Sequence, residues 1–289
     1  MKDKLFIALQ YLIPQRLLSR AAGLLAETSI AWIKNPFTQW FVRQYGVNMS
    51  EAIIEDPCAY PSFNAFFTRA LKEGARPINT DKNTIVSPAD GAISQLGDIE
   101  NGRIFQAKGQ DFSLTELLGG NVELAKPFMA GKFATVYLSP KDYHRVHMPY
   151  AGKLKSMVHV PGDLFSVNTV TAANVPRLFA RNERTVCIFD TDIGPMAVVL
   201  VGAMIVASIE TVWAGQTTPL KREIKTTHYA QNNKVELEKG EEMGRFKLGS
   251  TAVILFGKDT INWDEHYQAG TATIMGAKIG LRSKDKKMA

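Results

Sequence analysis

Cysteine is scarce in this chain: 289 residues hold two, Cys58 and Cys187. Two thiols so far apart make no disulfide framework, so the fold rests on its core and a reducing compartment is the default. Histidine is nearly as rare, with five. A zinc site needs three or four suitable ligands. His144 and His147 have no third ligand at metal-binding spacing, and His159, His228 and His266 are scattered singly, so we expect no metal. Long apolar runs are missing as well. The most apolar stretch, residues 196–209, is 14 residues long, against the roughly 20 that a membrane-crossing helix needs. We find no internal repeats and no low-complexity linker. The net charge of +6 is not organised into a basic module interleaved with stacking aromatics, which argues against nucleic acid as a partner.

The positive charge is concentrated at one end. Residues 1–50 carry Lys2, Lys4, Arg16, Arg20, Lys34 and Arg43 against Asp3 and Glu27, so most of the excess sits in the first sixth of the chain. The same stretch is apolar at helical spacing. Leu17, Leu18, Ala21, Leu24 and Leu25 fall on one face, and Phe37, Trp40 and Phe41 on another. Pro14 and Pro36 sit where helices begin, Asn35 suits an N-cap, and Gly46 is a natural stop. These are short amphipathic helices, fit either to lie on a membrane interface or to cover the core of a soluble protein. Residues 5–13 look like a signal-peptide core behind Lys2 and Lys4. Pro14-Gln15-Arg16 replaces a small-residue cleavage site, so we expect the segment to be retained.

Beyond residue 50 the pattern changes. Residues 52–78 mix helix signals with Pro57, Pro61 and Pro77 and read as a connector that packs aromatics against the main body. From about residue 83, β-branched and aromatic segments dominate: 133–138, 153–160, 185–189, 251–256, 271–275, and the 196–209 run, which Gly202-Ala203 divides into two buried strands. The expected fold class is α+β. Residues 1–50 form an amphipathic helical segment, and residues 51–289 a β-rich antiparallel domain large enough for a full core.

Three segments carry chemistry. Lys247-Leu248-Gly249-Ser250-Thr251 places a small residue and a hydroxyl at the mouth of an apolar strand. A glycine at 249 leaves its carbonyl open to attack by the Ser250 hydroxyl, but a serine is a weak nucleophile and needs a base with a group to orient it. Ser87-Pro88-Ala89-Asp90-Gly91 offers a carboxylate, and residues 137–149 offer His144 and His147, three apart, which on a helical turn would aim both rings the same way. Each has a plain structural alternative: a turn feeding a strand at 249–250, a hairpin turn at Asp90-Gly91, and a satisfied structural histidine at 144.

Together with Pro161-Gly162-Asp163-Leu164-Phe165-Ser166-Val167-Asn168 and the run 239–251, these motifs resemble the bacterial, membrane-associated type of phosphatidylserine decarboxylase. The resemblance runs in order along most of the chain and includes Leu248-Gly249-Ser250-Thr251, the form that family uses at its processing site. Arg245 stands where an aromatic residue is common in the family, outside the bond that is cut.

The resemblance implies self-cleavage between Gly249 and Ser250, giving a large β chain and a 40-residue α chain. Asp90, His147 and Ser250 would act as the charge relay for the cut. Ser250 would become a pyruvoyl group, a pyruvate-derived cofactor made from the chain itself. That group forms a Schiff base with phosphatidylserine and accepts electrons as carbon dioxide leaves, with His144 serving protonation. The product would be phosphatidylethanolamine. Leu17, Leu18, Leu24, Leu25, Phe37, Trp40 and Phe41 would contact an anionic membrane surface, on the cytoplasmic face of a bacterial inner membrane. The partners implied are the lipid substrate, the membrane and the two chains of one precursor; a homodimer stays open. The competing classes are a serine hydrolase acting on membrane esters through Ser250, His147 and Asp90, and a non-catalytic lipid-binding protein. The Ser250 neighbourhood lacks the Gly-x-Ser-x-Gly elbow that would favour the hydrolase.

Overall fold

The computed structural model describes residues 2–107, 109–204, 208–218, 223–229, 234–247 and 250–283. Gly249 of the expected cleavage site, with Leu248, lies outside the described residues, as do residues 205–207 of the long apolar run.

The chain begins with three helices, α1 (Lys2–Leu12), α2 (Gln15–Glu27) and α3 (Ala31–Tyr45), and a fourth, α4 (Phe63–Phe67), follows in the connector. Pro14 precedes α2, and Gly46 ends α3 in the left-handed conformation with φ 65°. Pro36 and Asn35 fall elsewhere than expected: α3 starts at Ala31 and runs through both. Proline withholds its own N–H and crowds the carbonyl four residues back, yet the helix continues beyond it, with the Thr38 hydroxyl donating to the Lys34 carbonyl at 2.9 Å. α4 is capped by Ser62, whose hydroxyl accepts from the Ala65 amide.

The rest is β-rich, as the sequence predicts, and every strand pairing among the described residues is antiparallel. One nine-stranded sheet forms the body. At its centre, Ser250–Phe256 pairs with Lys132–Leu138 on one side and Gly194–Val201 on the other. All seven residues of that strand are buried. Val253 and Leu255 join the core under one face of the sheet, and Ala252, Ile254 and Phe256 the core under the other. Burial on both faces is why the strand reads as an unbroken apolar run. The expected strand at 271–275 is reduced to Ala272–Thr273, paired with Ala92 and Gly91.

A four-stranded sheet covers one face. It contains Ser208–Thr211, Glu242–Lys247 and Arg145–His147. Lys247 therefore ends a strand in one sheet, and Ser250 begins a strand in the other. The connector aromatics Tyr60, Phe63, Phe66 and Phe67 pack with Ala26 and Phe41 of the N-terminal helices as a third cluster. They dock those helices more than they line the main body.

Candidate active site

Ser250 is the first residue of the central strand, in register with Leu138, and is fully buried. Its Oγ has no hydrogen-bond partner among the described residues. A buried hydroxyl left unpaired costs about 1–3 kcal/mol, so the position is held against its own stability.

His147 lies on Arg145–His147, the strand next to Glu242–Lys247. His144 stands just before that strand, its carbonyl accepting from the Phe246 amide at 3.0 Å. The local backbone is thus extended and not helical. Side chains alternate along an extended segment, so an odd separation sends the two rings to different surroundings. His144 is fully buried and stacks on Phe67 with 3.9 Å between ring centroids. Its Nδ1 lies 2.8 Å from the Asp142 carbonyl. A carbonyl only accepts, so Nδ1 carries the proton, and Nε2 keeps its lone pair with no partner among the described residues. Burial, helped by the nearby Arg69 charge, pushes its pKa down to about 3.

The His147 tautomer follows by the same logic. Nδ1 donates to the Gly240 carbonyl at 2.8 Å, and Nε2 faces the Tyr143 hydroxyl at 3.2 Å. Gly240 can hold this place because it has φ 83°, and a Cβ there would sit 2.4 Å from Ile78. Burial again lowers the pKa, while the Gly240 carbonyl and the charges of Glu242 and Asp90 push it back up.

Asp90 is buried but bonded elsewhere. Its carboxylate takes Arg76 Nε at 2.9 Å and Nη2 at 2.6 Å, and the Met275 amide at 2.9 Å. Arg76 also reaches Glu51 at 2.9 Å. Among the described residues no hydrogen bond joins Asp90 to His147 or either to Ser250. The orienting contact expected of Asp90 is made by the Gly240 carbonyl, and Asp90 acts on His147 through its charge. Asp90-Gly91 is not a hairpin turn. Gly91 has φ 149° and opens a strand so close to Tyr137 that a Cβ would lie 2.1 Å from its carbonyl oxygen.

Sequence reasoning missed Arg76, Gly240, Tyr143, Arg69 and Lys247. Tyr143 lay inside a quoted motif, and Gly240 in another. Lys247 Nζ, two residues before the expected cut, is clamped between Glu210 at 2.7 Å and Glu27 of α2 at 3.1 Å. Glu27 also accepts from Asn64 of α4 at 2.9 Å. No group of three or more metal-ligating side chains occurs among the described residues.

Of the residues expected at a membrane, Leu17, Leu24, Leu25 and Trp40 are exposed, and Leu18 is 38% exposed. Phe41 is 7% exposed and packs on Phe63, Phe66 and Phe67, and Phe37 packs against the same cluster. Both rings serve the fold, because the connector supplies aromatic partners that the sequence spacing did not reveal. No helix among the described residues is long and apolar enough to cross a membrane.

The scaffold is β-rich, and near the passage from one sheet to the other it buries Ser250, whose hydroxyl has no partner among the described residues, and two imidazoles that burial keeps from charging. Comparison with known proteins gives the family. The family model described as phosphatidylserine decarboxylase matches residues 63–281, and a second, described as PSD, matches residues 5–46. A phosphatidylserine decarboxylase proenzyme of Pseudomonas fluorescens Pf-5 is 64% identical over 283 residues, 97% of this chain and 98% of the relative. Proenzymes of the same description from Pseudomonas putida F1 and Pseudomonas entomophila L48 are 65% and 64% identical over 96% and 97% of this chain, and 98% and 99% of their own length. The chain belongs to the phosphatidylserine decarboxylase family.

Proposed function

We propose that this chain is the proenzyme of a phosphatidylserine decarboxylase that cuts itself between Gly249 and Ser250. The observation that carries the reading is the Ser250 hydroxyl, fully buried at the start of the central strand and without a hydrogen-bond partner among the described residues. An ester hydrolase needs a nucleophile that an outside substrate can reach. A hydroxyl sealed from solvent is suited to attacking a bond of its own chain, and residue 250 becomes reachable by an outside substrate only as the new chain end that the cut creates.

In this reading His147 Nε2, the ring nitrogen that bears no proton, takes the proton of Ser250 Oγ as it attacks the Gly249 carbonyl. The Asp90 charge favours the imidazolium that results. The Ser250 nitrogen leaves with a proton, and an ester replaces the amide. Loss of the Ser250 α-proton then expels Gly249 as a carboxylate and leaves dehydroalanine at 250. Tautomerisation, addition of one water and loss of ammonia give the pyruvoyl group. The residues present fit that group, since position 250 is buried and the His144 Nε2 lone pair has no partner among the described residues. When formed, it supplies a carbonyl that accepts electrons from the substrate α-carbon. The proton-moving atom left to the mature site is His144 Nε2, because the Asp142 carbonyl holds the Nδ1 proton. Being neutral, His144 accepts a proton before it can return one.

We place the enzyme on the surface of an anionic membrane, on the cytoplasmic side, with α1 and α2 as the contact. Leu12 and Leu24 are each 79% exposed, and Leu17 67%, an apolar display suited to an interface. The test is intact mass and denaturing electrophoresis of the purified chain. The wild type is expected as two fragments with a ketone-bearing terminus at 250 that borohydride reduces, and Ser250→Ala as one inactive chain. A fully active wild type with Ser250 intact would refute the reading.

A further inference from the structure

The Pro161–Asn168 motif takes no part in the chemistry above, yet α1 and α2 are fastened to it. Gln10 Oε1 accepts from the Ser166 amide at 3.0 Å, Gln15 Oε1 from the Leu164 amide at 2.7 Å, and Arg16 Nη2 donates to the Gly162 carbonyl at 2.8 Å. Where the α1–α2 bend meets this loop there is a cavity of about 730 Å³, lined by Tyr11, Arg16, Arg20, Asp163, Phe165 and Arg181 among others.

The charge in the cavity is unbalanced. Three guanidiniums face one carboxylate, and Asp163 is already committed to Arg181 at 2.9 Å. Arg181 is fixed further, its Nη1 donating to the Tyr11 hydroxyl at 3.3 Å and its Cζ lying 4.6 Å from the centre of the Phe165 ring. Arg20 has no hydrogen bond or ion pair among the described residues. Arg16 and Arg20 stand four apart on α2, where like charges repel, and Arg16 occupies the first turn, where the helix field disfavours cations. Neither arginine serves the helix itself. Leu17, which lines the cavity, is exposed, as are Leu12 of α1 and Leu24 of α2. Arg20 is exposed and Arg16 and Arg181 are half-buried, and cations reachable from solvent beside exposed leucines match a lipid phosphate at the boundary between headgroups and acyl chains.

We infer that this notch is a binding site for the phosphate of an anionic membrane lipid, held by Arg16 and Arg20 with Arg181 as the fixed wall. The site is separate from the Ser250 centre and gives the protein a defined seat on the bilayer in place of diffuse attraction. The inference rests on the membrane-surface reading above.

The experiment is vesicle co-sedimentation of the full-length protein on phosphatidylcholine, with and without phosphatidylglycerol. Arg20→Gln removes a side chain with no hydrogen bond or ion pair among the described residues, so folding is not at stake, and Arg16→Gln/Arg20→Gln removes both α2 cations while leaving at 16 an amide that can donate to the Gly162 carbonyl as Arg16 does. At about a fivefold loss per arginine, the double variant is expected to bind anionic vesicles roughly 30-fold more weakly. It should bind neutral vesicles as the wild type does. Lys4→Gln/Arg43→Gln makes the same charge change elsewhere on the helices and is expected to lose far less. Equal losses in the two double variants would overturn the notch in favour of diffuse charge, and so would full binding by Arg16→Gln/Arg20→Gln. A wild type that binds neither vesicle would sink the membrane reading itself, and this site with it.

Discussion

At the scale of single residues, the site is defined by which polar atoms are left unsatisfied and which nitrogen carries the proton. Asp90, His144, His147 and Ser250 stood out as candidates because each lies in a short motif whose chemistry is local. Their partners were not, because Gly240 meets His147 across 93 positions and Arg76 meets Asp90 across 14. Such contacts exist only once the sheets have closed. The His144 environment has a measurable consequence. Its pKa is about 3 in the folded chain against the ordinary 6.5. Between those values the unfolded chain binds a proton that the folded chain refuses. The stability is whole above pH 6.5 and drains away as the pH falls, by about 1.4 kcal/mol per pH unit for one such group. His147, shifted in the same direction, adds to the slope. Urea unfolding of the uncut Ser250→Ala chain, followed from neutral pH toward about pH 5, is expected to show this decline. His144→Gln should make it shallower by close to one proton. Identical slopes in the two chains would mean that His144 is not held neutral by the fold.

At the scale of elements, the β-branched runs announced the strands that are buried on both faces, because such strands need apolar residues at every position. They did not announce which sheet each strand joins. Nor did helical spacing show that α3 passes through Pro36 or that Phe37 and Phe41 turn inward, since those outcomes depend on the aromatics of α4 arriving from 22 or more residues away. At this scale the contact nearest the proposed cut is Glu27–Lys247–Glu210. It ties the end of α2 to the strand that leads into the expected cut. Against the upward push of burial, hydrogen bonds from Asn64 and Lys247 keep the Glu27 carboxyl below its usual range. As a half-exposed network it is worth roughly 1 kcal/mol or less to stability. Its larger effect is on position, because a reacting group displaced by about 1 Å can lose 100-fold in rate. Lys247→Met is therefore expected to slow self-cleavage by about tenfold or more while leaving the melting temperature nearly unchanged. Glu27→Gln and Glu210→Gln should each slow it less, since one carboxylate remains. The time course of fragment appearance after synthesis measures this, and wild-type kinetics in Lys247→Met would show that the clamp does not set the geometry.

At the scale of the whole molecule, the proposed cut falls where the chain passes from the four-stranded sheet into the nine-stranded one, so neither sheet has to open. The 40 residues after it are woven into the larger piece. Ser250–Phe256 lies between two strands that belong to the part before the cut, Lys278–Arg282 pairs with Thr84–Val86, and Ala272–Thr273 pairs with Gly91 and Ala92. Removing the small piece would strip the middle strand out of both cores, exposing Ala252 through Phe256, all fully buried, at about 25 cal/mol for each Å² of apolar surface uncovered. Among the described residues one ion pair crosses the cut, Arg282 to Asp192 at a long 3.7 Å, and no disulfide does, since both cysteines are free and both precede the cut. The cleaved protein is therefore expected to elute as one species under native conditions, at high salt and in reducing agent alike, and to show two bands only in detergent. In urea, release of the small piece should coincide with loss of β-sheet circular dichroism, because the strand that leaves is the one that both halves of the sheet share. A small fragment eluting on its own while the β signal persists would mean that the central strand is not what joins the two chains.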